Sequence, residues 1–496
     1  MRGFDRDGFD RPPAAPGEIP HFRFVALGEV TSSGAVDALW RRLNSQPYPN
    51  WSLVVRGVEP GVAAGKPKVL SVPRESPASQ WIEGLKEHDY LIPIGEDDLL
   101  PDYALDALAI ESRRRPDVDV FYTDEDAIDP RGRHGDPRLK PDWSPIFQAA
   151  VPYLGAAVAI RAGFASAWPA SEFPAFGLAM ESRTCRVFHI RRILLTRSRA
   201  SVAPSVAPAL RAPTRESGPS SVDSELRASV IIPTRDRLGL LMRCIASVRK
   251  RTVGVNFELI VVDNGSVEPR TRAYLQELAR DTNCRVFPCP GPFNYSQLCN
   301  QAARAARAPF LVFLNNDVQI LNDLWLSRLL SLAAMPDVGA VGAKLLYSNG
   351  GIQHAGVVLG IDGRAGHFQR GLSASDLGYF GSLGSPHEVS AVTAACMAIE
   401  ATKFAAIGGF DEINLPVELN DVDLCLRLNA RGWKTLLESR ATLTHLESAS
   451  RGANALLDAR YDRQVAYFTE RWSQALRDDP YFHPALSLDA LQAALG

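Results

Sequence analysis

No CxxC pair occurs in the 496 residues, although seven cysteines are present. Neither a zinc cage nor a thioredoxin-type dithiol is therefore supported. The cysteine count is odd, and several lie inside apolar helical or strand patterns. Buried, reduced thiols in a cytosolic protein are the expectation. An excess of charge is missing too. Lys and Arg total 54 against 56 Asp and Glu, a formal net charge of -2, and no basic stripe stands out. Nucleic acid is accordingly not an expected partner. No run reaches the roughly 18 apolar residues of a membrane span; the nearest, 151–170, is broken by Arg161 and Pro169. The opening MRGFDRDGFDRPPAAPG has no apolar core of the signal-peptide kind, and residues 1–20 are expected to be disordered. These absences point to the cytoplasm, with peripheral contact on the inner face of the plasma membrane left open. A GxGxxG after a strand is also absent, which removes the dinucleotide-binding dehydrogenases.

What is present describes a soluble globular protein of two or three domains: 46% hydrophobic and 22% charged residues. Residues 199–228 form a Pro/Ala/Ser-rich segment without helical or strand period, which is linker chemistry. It separates a unit of 21–198 from a unit of 229–452, followed by a tail, 453–496, of helical period. In the second unit, short apolar runs alternate with helical spacings. SVIIPT (229–234), FELIVVD (257–263), CRVFP (284–288) and FLVFL (310–314) read as strands. Leu238, Leu241, Ile245 and Val248 recur at helical spacing, Pro269 opens a second helix, and a third is expected near 296–307. This alternation predicts an α/β domain, a largely parallel sheet with helices on both faces. Ligands in such sheets bind beyond the C-terminal strand ends.

An internal repeat accompanies this pattern. YLIPIGEDDLLPDYAL (90–105) resembles FLVFLNNDVQILNDLW (310–325), aligning Asp97 with Asp317 at an offset of 220. Pro116-Asp117-Val118 aligns with Pro336-Asp337-Val338 at the same offset, and NWSLVV (50–55) resembles NFELIV (256–261). Two copies of one fold are the economical explanation.

Polar groups gather after the strands of the second unit: Pro233-Thr234-Arg235-Asp236, Asp263-Asn264-Gly265-Ser266 and Asn315-Asn316-Asp317. Each has a plain alternative. Thr234 or Asp236 could cap a helix, and Asn264-Gly265 could be only a turn. Farther on, Asn420-Asp421-Val422-Asp423 opens a helix, where carboxylates suit the dipole and capping alone would explain them. His445 stands in Thr444-His445-Leu446-Glu447, and a lone histidine is more often structural.

In order and spacing, these pieces resemble the family 2 glycosyltransferases of GT-A fold, nearest to bacterial rhamnosyltransferase-like or O-antigen-type members. The stretches are SVIIPTRDR, LIVVDNGS, FNYSQLCNQAA, FLVFLNNDV, IQHAGVVLG, VTAACMAIE, IGGFDE, LNDVDLCLRL and HLESASRG, over most of 229–452. The tail DDPYFHPALSLD (478–489) resembles the ending of such proteins. The resemblance implies a doubly wound mixed sheet of the nucleotide-diphospho-sugar transferase type, in two tandem copies with a helical tail. It implies that Pro233, Thr234, Arg235, Asp236, Asp263 and Asn294 line the donor site, with Asp263 accepting from base or ribose. Asn315 and Asn316 would lie at sugar and ribose. Asp317 and His445 would hold Mg2+ or Mn2+, and Asp421 would be the catalytic base. Two departures concern the metal. Asn-Asn-Asp stands where many relatives show Asp-x-Asp, and Leu446 stands where a second His is frequent. The donor would be a UDP- or dTDP-sugar, the acceptor a hydroxyl of a glycan or polyprenyl-linked glycan, and the outcome inversion in cell-surface polysaccharide synthesis.

The first unit reads as a decayed copy. FVALGEVTSS (24–33) has no Pro-Thr-Arg-Asp equivalent, Gly57 falls where the repeat places Asp263, and nothing near 170–185 resembles Asn420-Asp421. Glu96-Asp97-Asp98, Asp124-Glu125-Asp126 and LKPDWSP (139–145) are kept. A structural or acceptor-positioning role is expected for it. The competing class for the whole chain is a non-catalytic scaffold or glycan-binding protein. A nucleotidyltransferase would need a Gly-rich basic phosphate loop, which SVIIPTRDRLG does not supply.

Overall fold

The computed structural model describes residues 19–27, 32–76, 78–165, 185–198, 226–446, 459–490 and 493–495. Most of the linker, the stretch 170–184 and the motif end Glu447–Gly452 lie outside them. The chain divides into two compact units: Met1–Trp143 with Leu154–Val202, and Ser144–Tyr153 with Ala203–Gly496.

The first unit holds β1 (Phe22–Ala26), β2 (Trp51–Arg56), β3 (Val69–Val72), β4 (Tyr90–Ile94), β5 (Val120–Ile128), β6 (His134–Arg138), β7 (Val158–Arg161) and β8 (Val187–Ser198). They form one sheet in the order β3-β2-β1-β4-β7-β5-β6, with β8 on β5. The second unit holds β9 (Arg227–Thr234), β10 (Asn256–Asp263), β11 (Cys284–Pro288), β12 (Phe310–Leu314), β13 (Val318–Ile320), β14 (Val338–Leu346), β15 (Ile352–His354), β16 (Val357–Leu359), β17 (Ala365–His367), β18 (His387–Val389), β19 (Cys396–Glu400) and β20 (Lys434–His445). Its main sheet runs β11-β10-β9-β12-β19-β14-β20-β13.

The expected strands are present, with β9 starting two residues earlier, at Arg227. The third helix spans Tyr295–Ala305. The sheet is mixed rather than uniformly parallel. β10, β9 and β12 are parallel neighbours, while β19 runs antiparallel to both β12 and β14. The first sheet repeats this pattern strand for strand. β1 is parallel to β2 and β4, β7 is antiparallel to β4 and β5, and β8 is parallel to β5 as β20 is to β14.

Why SVII and LIVV are continuous apolar runs is plain from the layers. Successive side chains of a strand face opposite sides, and both sides are covered. Val230, Ile232, Leu259 and Val261 enter one core with Leu241, Ile245, Val248 and Trp325 from two helices. Ile231, Ile260 and Val262 enter the other with Leu298, Cys299, Leu424 and Leu428. A strand buried on both faces has no polar alternation. Among the cysteines, Cys185 is half-buried and the other six are buried, with no disulfide among the described residues. Burial raises the six buried thiols, Cys425 to about 12, so they pack as small apolar groups. Among the described residues no helix is long and apolar enough to cross a membrane.

Candidate functional site

β9 and β10 end side by side, with Thr234 opposite Asp263. On its other side β9 pairs with β12 only as far as Ile231 opposite Phe313. Pro233 therefore falls where that ladder has already ended, the setting in which a strand tolerates proline. Beyond this point Asn316 Nδ2 donates to Thr234 Oγ1 at 2.9 Å. Both residues are buried, so the bond fixes the Asn-Asn-Asp turn against the first strand's end.

The loops after β9 and β10 are tied to each other. Asp236 and Arg237 are left-handed, with φ 52° and 55°. The Asp236 amide donates to Ser266 Oγ at 2.8 Å. Its Oδ1 accepts the amides of Val267 and Glu268, both at 2.8 Å, just before the helix Pro269–Leu278. These bonds fix the chain entering that helix, through a residue from the neighbouring loop. Asp263 Oδ1 accepts the Ser266 amide at 2.9 Å and hydroxyl at 2.6 Å. Each of these two carboxylates thus spends Oδ1 on the protein. Arg235 is exposed beside them. Asn294 is used locally: its Oδ1 caps the helix Tyr295–Ala305 at Gln297, and its Nδ2 donates to the Glu412 carbonyl, both at 2.9 Å. Its side chain is committed to joining that helix to the loop before Asn420.

Asp317 and His445 meet across β13 and β20, which pair Val318 with His445. His445 Nε2 lies 3.2 Å from Asp317 Oδ1, and the carboxylate is buried. Gln353, on β15, sets the state of this imidazole. Its Nε2 donates to the His445 carbonyl at 3.3 Å, which leaves Oε1 as the acceptor, 2.8 Å from His445 Nδ1. An amide oxygen only accepts, so the proton belongs on Nδ1. In neutral His445 the Nε2 lone pair then faces a carboxylate oxygen, two acceptors at contact. Asn315 Nδ2, at 3.3 Å, is a distant donor to Nε2. A cation suits this arrangement. Neighbouring ligands of an octahedral Mg2+, each at about 2.1 Å, stand about 3.0 Å apart. Among the described residues no group of three His, Cys, Asp or Glu could hold a metal. The protein would supply two ligands and leave other positions to substrate oxygens and water.

Gln353 escaped the sequence reading. It lies within IQHAGVVLG, but 92 residues separate it from His445, and nothing in the sequence relates them. Beside it, His354 Nε2 accepts the Thr393 amide at 3.4 Å, and its Nδ1 meets His367 Nδ1 at 2.8 Å. Burial first, then His367 and His445, holds His354 well below the usual histidine range, so it stays neutral.

Asp421 reaches this network through the turn 393–395. Its Oδ2 accepts the Ala394 amide at 3.1 Å, while the Ala395 carbonyl accepts the Asn315 amide at 3.1 Å. The helix Asn420–Asn429 begins after Leu419, at φ 58°. Asn420 Nδ2 donates to Ser296 Oγ at 2.9 Å. Gln464, from the helix Ala459–Arg471, accepts the amides of Val417 and Glu418 at 2.9 and 2.8 Å. Asp423, two residues on, does something different. It is fully buried and bonded to Arg427 at 2.7 Å and Trp472 at 2.9 Å, which is packing.

The first unit has a different pair at the equivalent strand ends. Leu99 bridges Thr196 as Gln319 pairs with Thr444, so Arg197 occupies the register of His445 and Asp97 that of Asp317. Arg197 Nε lies 3.6 Å from Asp98 Oδ1. A guanidinium has no lone pair for a metal.

Residues 229–381 match the family described as Glycosyl transferase family 2. Residues 229–381 thus resemble a family 2 glycosyltransferase domain and fall within the second, α/β unit. An uncharacterized protein, y4gI, of Sinorhizobium fredii is 33% identical over 506 residues, covering 90% of this chain and 55% of that protein. The O-antigen biosynthesis protein RfbC of Myxococcus xanthus is 32% identical over 442 residues, covering 82% of this chain and 34% of that protein. The chain thus spans about half and a third of the length of these relatives. Among solved structures it is similar to GalNAc-T7 with UDP, GalNAc and Mn2+, at TM-score 0.38 and 18% identity over 51% of each chain. It is also similar to the mannosyltransferase PcManGT from Pyrobaculum calidifontis in complex with GDP-Man and Mn2+, at TM-score 0.37 and 17% identity, over 52% of this chain and 67% of that one.

Proposed function

We propose that the second unit transfers a sugar from a UDP- or dTDP-sugar to a hydroxyl of a glycan or polyprenyl-linked glycan in cell-surface polysaccharide synthesis. The observation that carries this is the Asp317–His445 pair, 3.2 Å apart with the histidine oriented by Gln353. It shares one strand-end network with Thr234, Asn315, Asn316 and Asp421. The relatives add to it, one of them being an O-antigen biosynthesis protein by name. Asp317 and His445 would hold Mg2+ or Mn2+, and a hard cation there offsets the charge that grows on a departing diphosphate. Thr234, Arg235, Asp236 and Asp263 line the nucleotide side, with Pro233 shaping the strand end. Asn315 and Asn316 offer amides to ribose and sugar. Asn294 supports this site through its helix. Asp421 takes the proton of the attacking hydroxyl, a role worth about 10² to 10⁴ in rate. A base facing the leaving group implies one displacement with inversion, and a product with retained anomeric configuration by NMR would rule that out.

We further infer that the first unit is a non-catalytic copy of the same fold, with a structural or acceptor-positioning role. Its matching strand order and Arg197 support this.

The test is calorimetric titration of the full chain with UDP and dTDP, each with Mn2+ and with EDTA. Metal-dependent binding, lost in Asp263→Ala and kept in Asp97→Ala, is expected. Binding of neither nucleotide would favour another donor or the scaffold reading.

A further inference from the structure

The first unit encloses a second polar site, away from the strand ends that carry Asp97 and Arg197. It lies where β1, β2 and β4 begin. His21, Asn50 and Asp89 immediately precede these three strands, and together with Arg23, Lys86 and His88 they line a cavity of about 290 Å3.

At its base Arg23 is 7% exposed. Its Nε donates to Ser52 Oγ at 3.0 Å, and its Nη1 donates to the carbonyls of Trp81 and Glu83 at 2.9 and 2.7 Å. Among the described residues no carboxylate comes within 4.0 Å of this guanidinium, and no protein acceptor is bonded to Nη2. Asp89, which shares the cavity lining, has both carboxylate oxygens engaged by backbone amides. Asp89 Oδ1 accepts the His21 amide at 2.8 Å, and Oδ2 accepts the Lys86 amide at 2.7 Å. A buried cation without a bonded counter-charge is costly. Burial pulls Arg23 below its usual range, with Asp89 and Glu83 opposing that only through longer-range attraction.

The hydrogen bonds around the cavity are directional. Ser52, having accepted from Arg23, donates its hydroxyl proton to His21 Nε2 at 2.8 Å. Asn50 Nδ2 is committed to the Ile19 carbonyl at 3.0 Å, so its Oδ1 accepts from His21 Nδ1 at 2.8 Å. His21 is thereby held neutral, and burial, the largest influence on it, lowers its pKa. The chain orients donors and leaves Arg23 Nη2 for a guest. Lys86 and His88 are exposed at the rim.

We propose that this cavity binds an oxyanion, a phosphate group or a carboxylate, on Arg23 with Lys86 at its mouth. Guanidinium N–H groups form charge-assisted hydrogen bonds to both anions, and Nη2 carries the two that are uncommitted here.

The full chain, freed of metal with EDTA, would be titrated with inorganic phosphate and, separately, with acetate at constant ionic strength. Crystals soaked in arsenate would locate the site. Phosphate binding is expected, with arsenate density against Arg23. Lys86→Glu should weaken it by about tenfold or more and leave the unfolding midpoint without phosphate unchanged. Lys86 is exposed, so this variant folds where Arg23→Gln could fail to. Acetate binding with the same Lys86 dependence, and none of phosphate, would support the carboxylate form. No heat from either anion overturns the proposal. So does arsenate density with an affinity that Lys86→Glu leaves unchanged, which marks an adventitious ion only. Neither result bears on donor binding in the second unit.

Discussion

His445 shows how one side chain's chemistry is decided by a neighbour. Gln353 places the His445 proton on Nδ1 and turns Nε2 toward Asp317. Partners of this kind, one bond removed from a metal, typically contribute about 10- to 100-fold in metal affinity. Gln353→Leu should therefore weaken Mn2+-dependent UDP or dTDP binding by about that factor while leaving metal-free protein folded. Equal Mn2+ dependence in calorimetry would remove Gln353 from the site. Asp421 and Asp423 make the complementary case. Both are acidic residues in one helical turn, yet Asp423 is sealed by Arg427 and Trp472 and Asp421 is half-exposed beside Ala394. Asp421→Asn should keep donor binding and lower turnover by at least about 10². Asp423→Asn should act on stability instead. Unchanged turnover in single-turnover assays of the Asp421 variant would dismiss it as the base.

At the level of elements, the C-terminal helix and tail brace the site without entering it. The helix Ala459–Arg471 supplies Gln464 to the loop before Asp421. The tail supplies Asp479, whose oxygens accept the amides of Leu359 on β16 and of Tyr481, at 2.7 and 2.8 Å. Burial, the largest influence, pushes the Asp479 carboxyl up to about 6, against the lowering effect of these hydrogen bonds. The sign follows from linkage. The folded state holds this proton more tightly than the unfolded chain, so its contribution is full below about pH 4. It is lost as pH rises through about 6. Asp479→Asn cannot titrate. Its unfolding midpoint relative to wild type should improve steadily between those two values and then level off. A difference that is flat across the range would contradict a raised carboxyl.

For the molecule as a whole, two sheets of matching order carry different strand-end chemistry. The second has an imidazole and a carboxylate that suit a cation, and the first has Arg197 in the imidazole's register. One nucleotide should therefore bind per chain in the presence of Mn2+. A calorimetric stoichiometry of two, with the second event removed by Asp97→Ala, would show that the first unit retains a donor site of its own.

Much of this was legible in the residue order. Apolar runs such as VII and LIVV declared strands buried on both faces, and the common offset of Asp97 and Asp117 declared a repeat. The positions just after strands singled out Thr234, Asp236, Asp263 and Asp317, because a sheet's connectivity sends those residues to one edge. These are local or periodic signals, and a sequence carries them directly. The sequence could not tell which carboxylate ties down a neighbouring loop, as Asp236 does, or which is buried in packing, as Asp423 is. Nor could it couple Gln353 to His445, set Gln464 behind Asp421, or place Arg23 in a cavity with no carboxylate bonded to it. Most of those relations join residues tens of positions apart, up to 92 for Gln353 and His445, through hydrogen bonds whose donors and acceptors are chosen only when β15 and β20, or the tail helix and its loop, are brought together. The residue types and their order determined the strand ends and the likeness to family 2 glycosyltransferases, while tertiary packing alone decided which polar groups are spent inside the protein and which remain for a ligand.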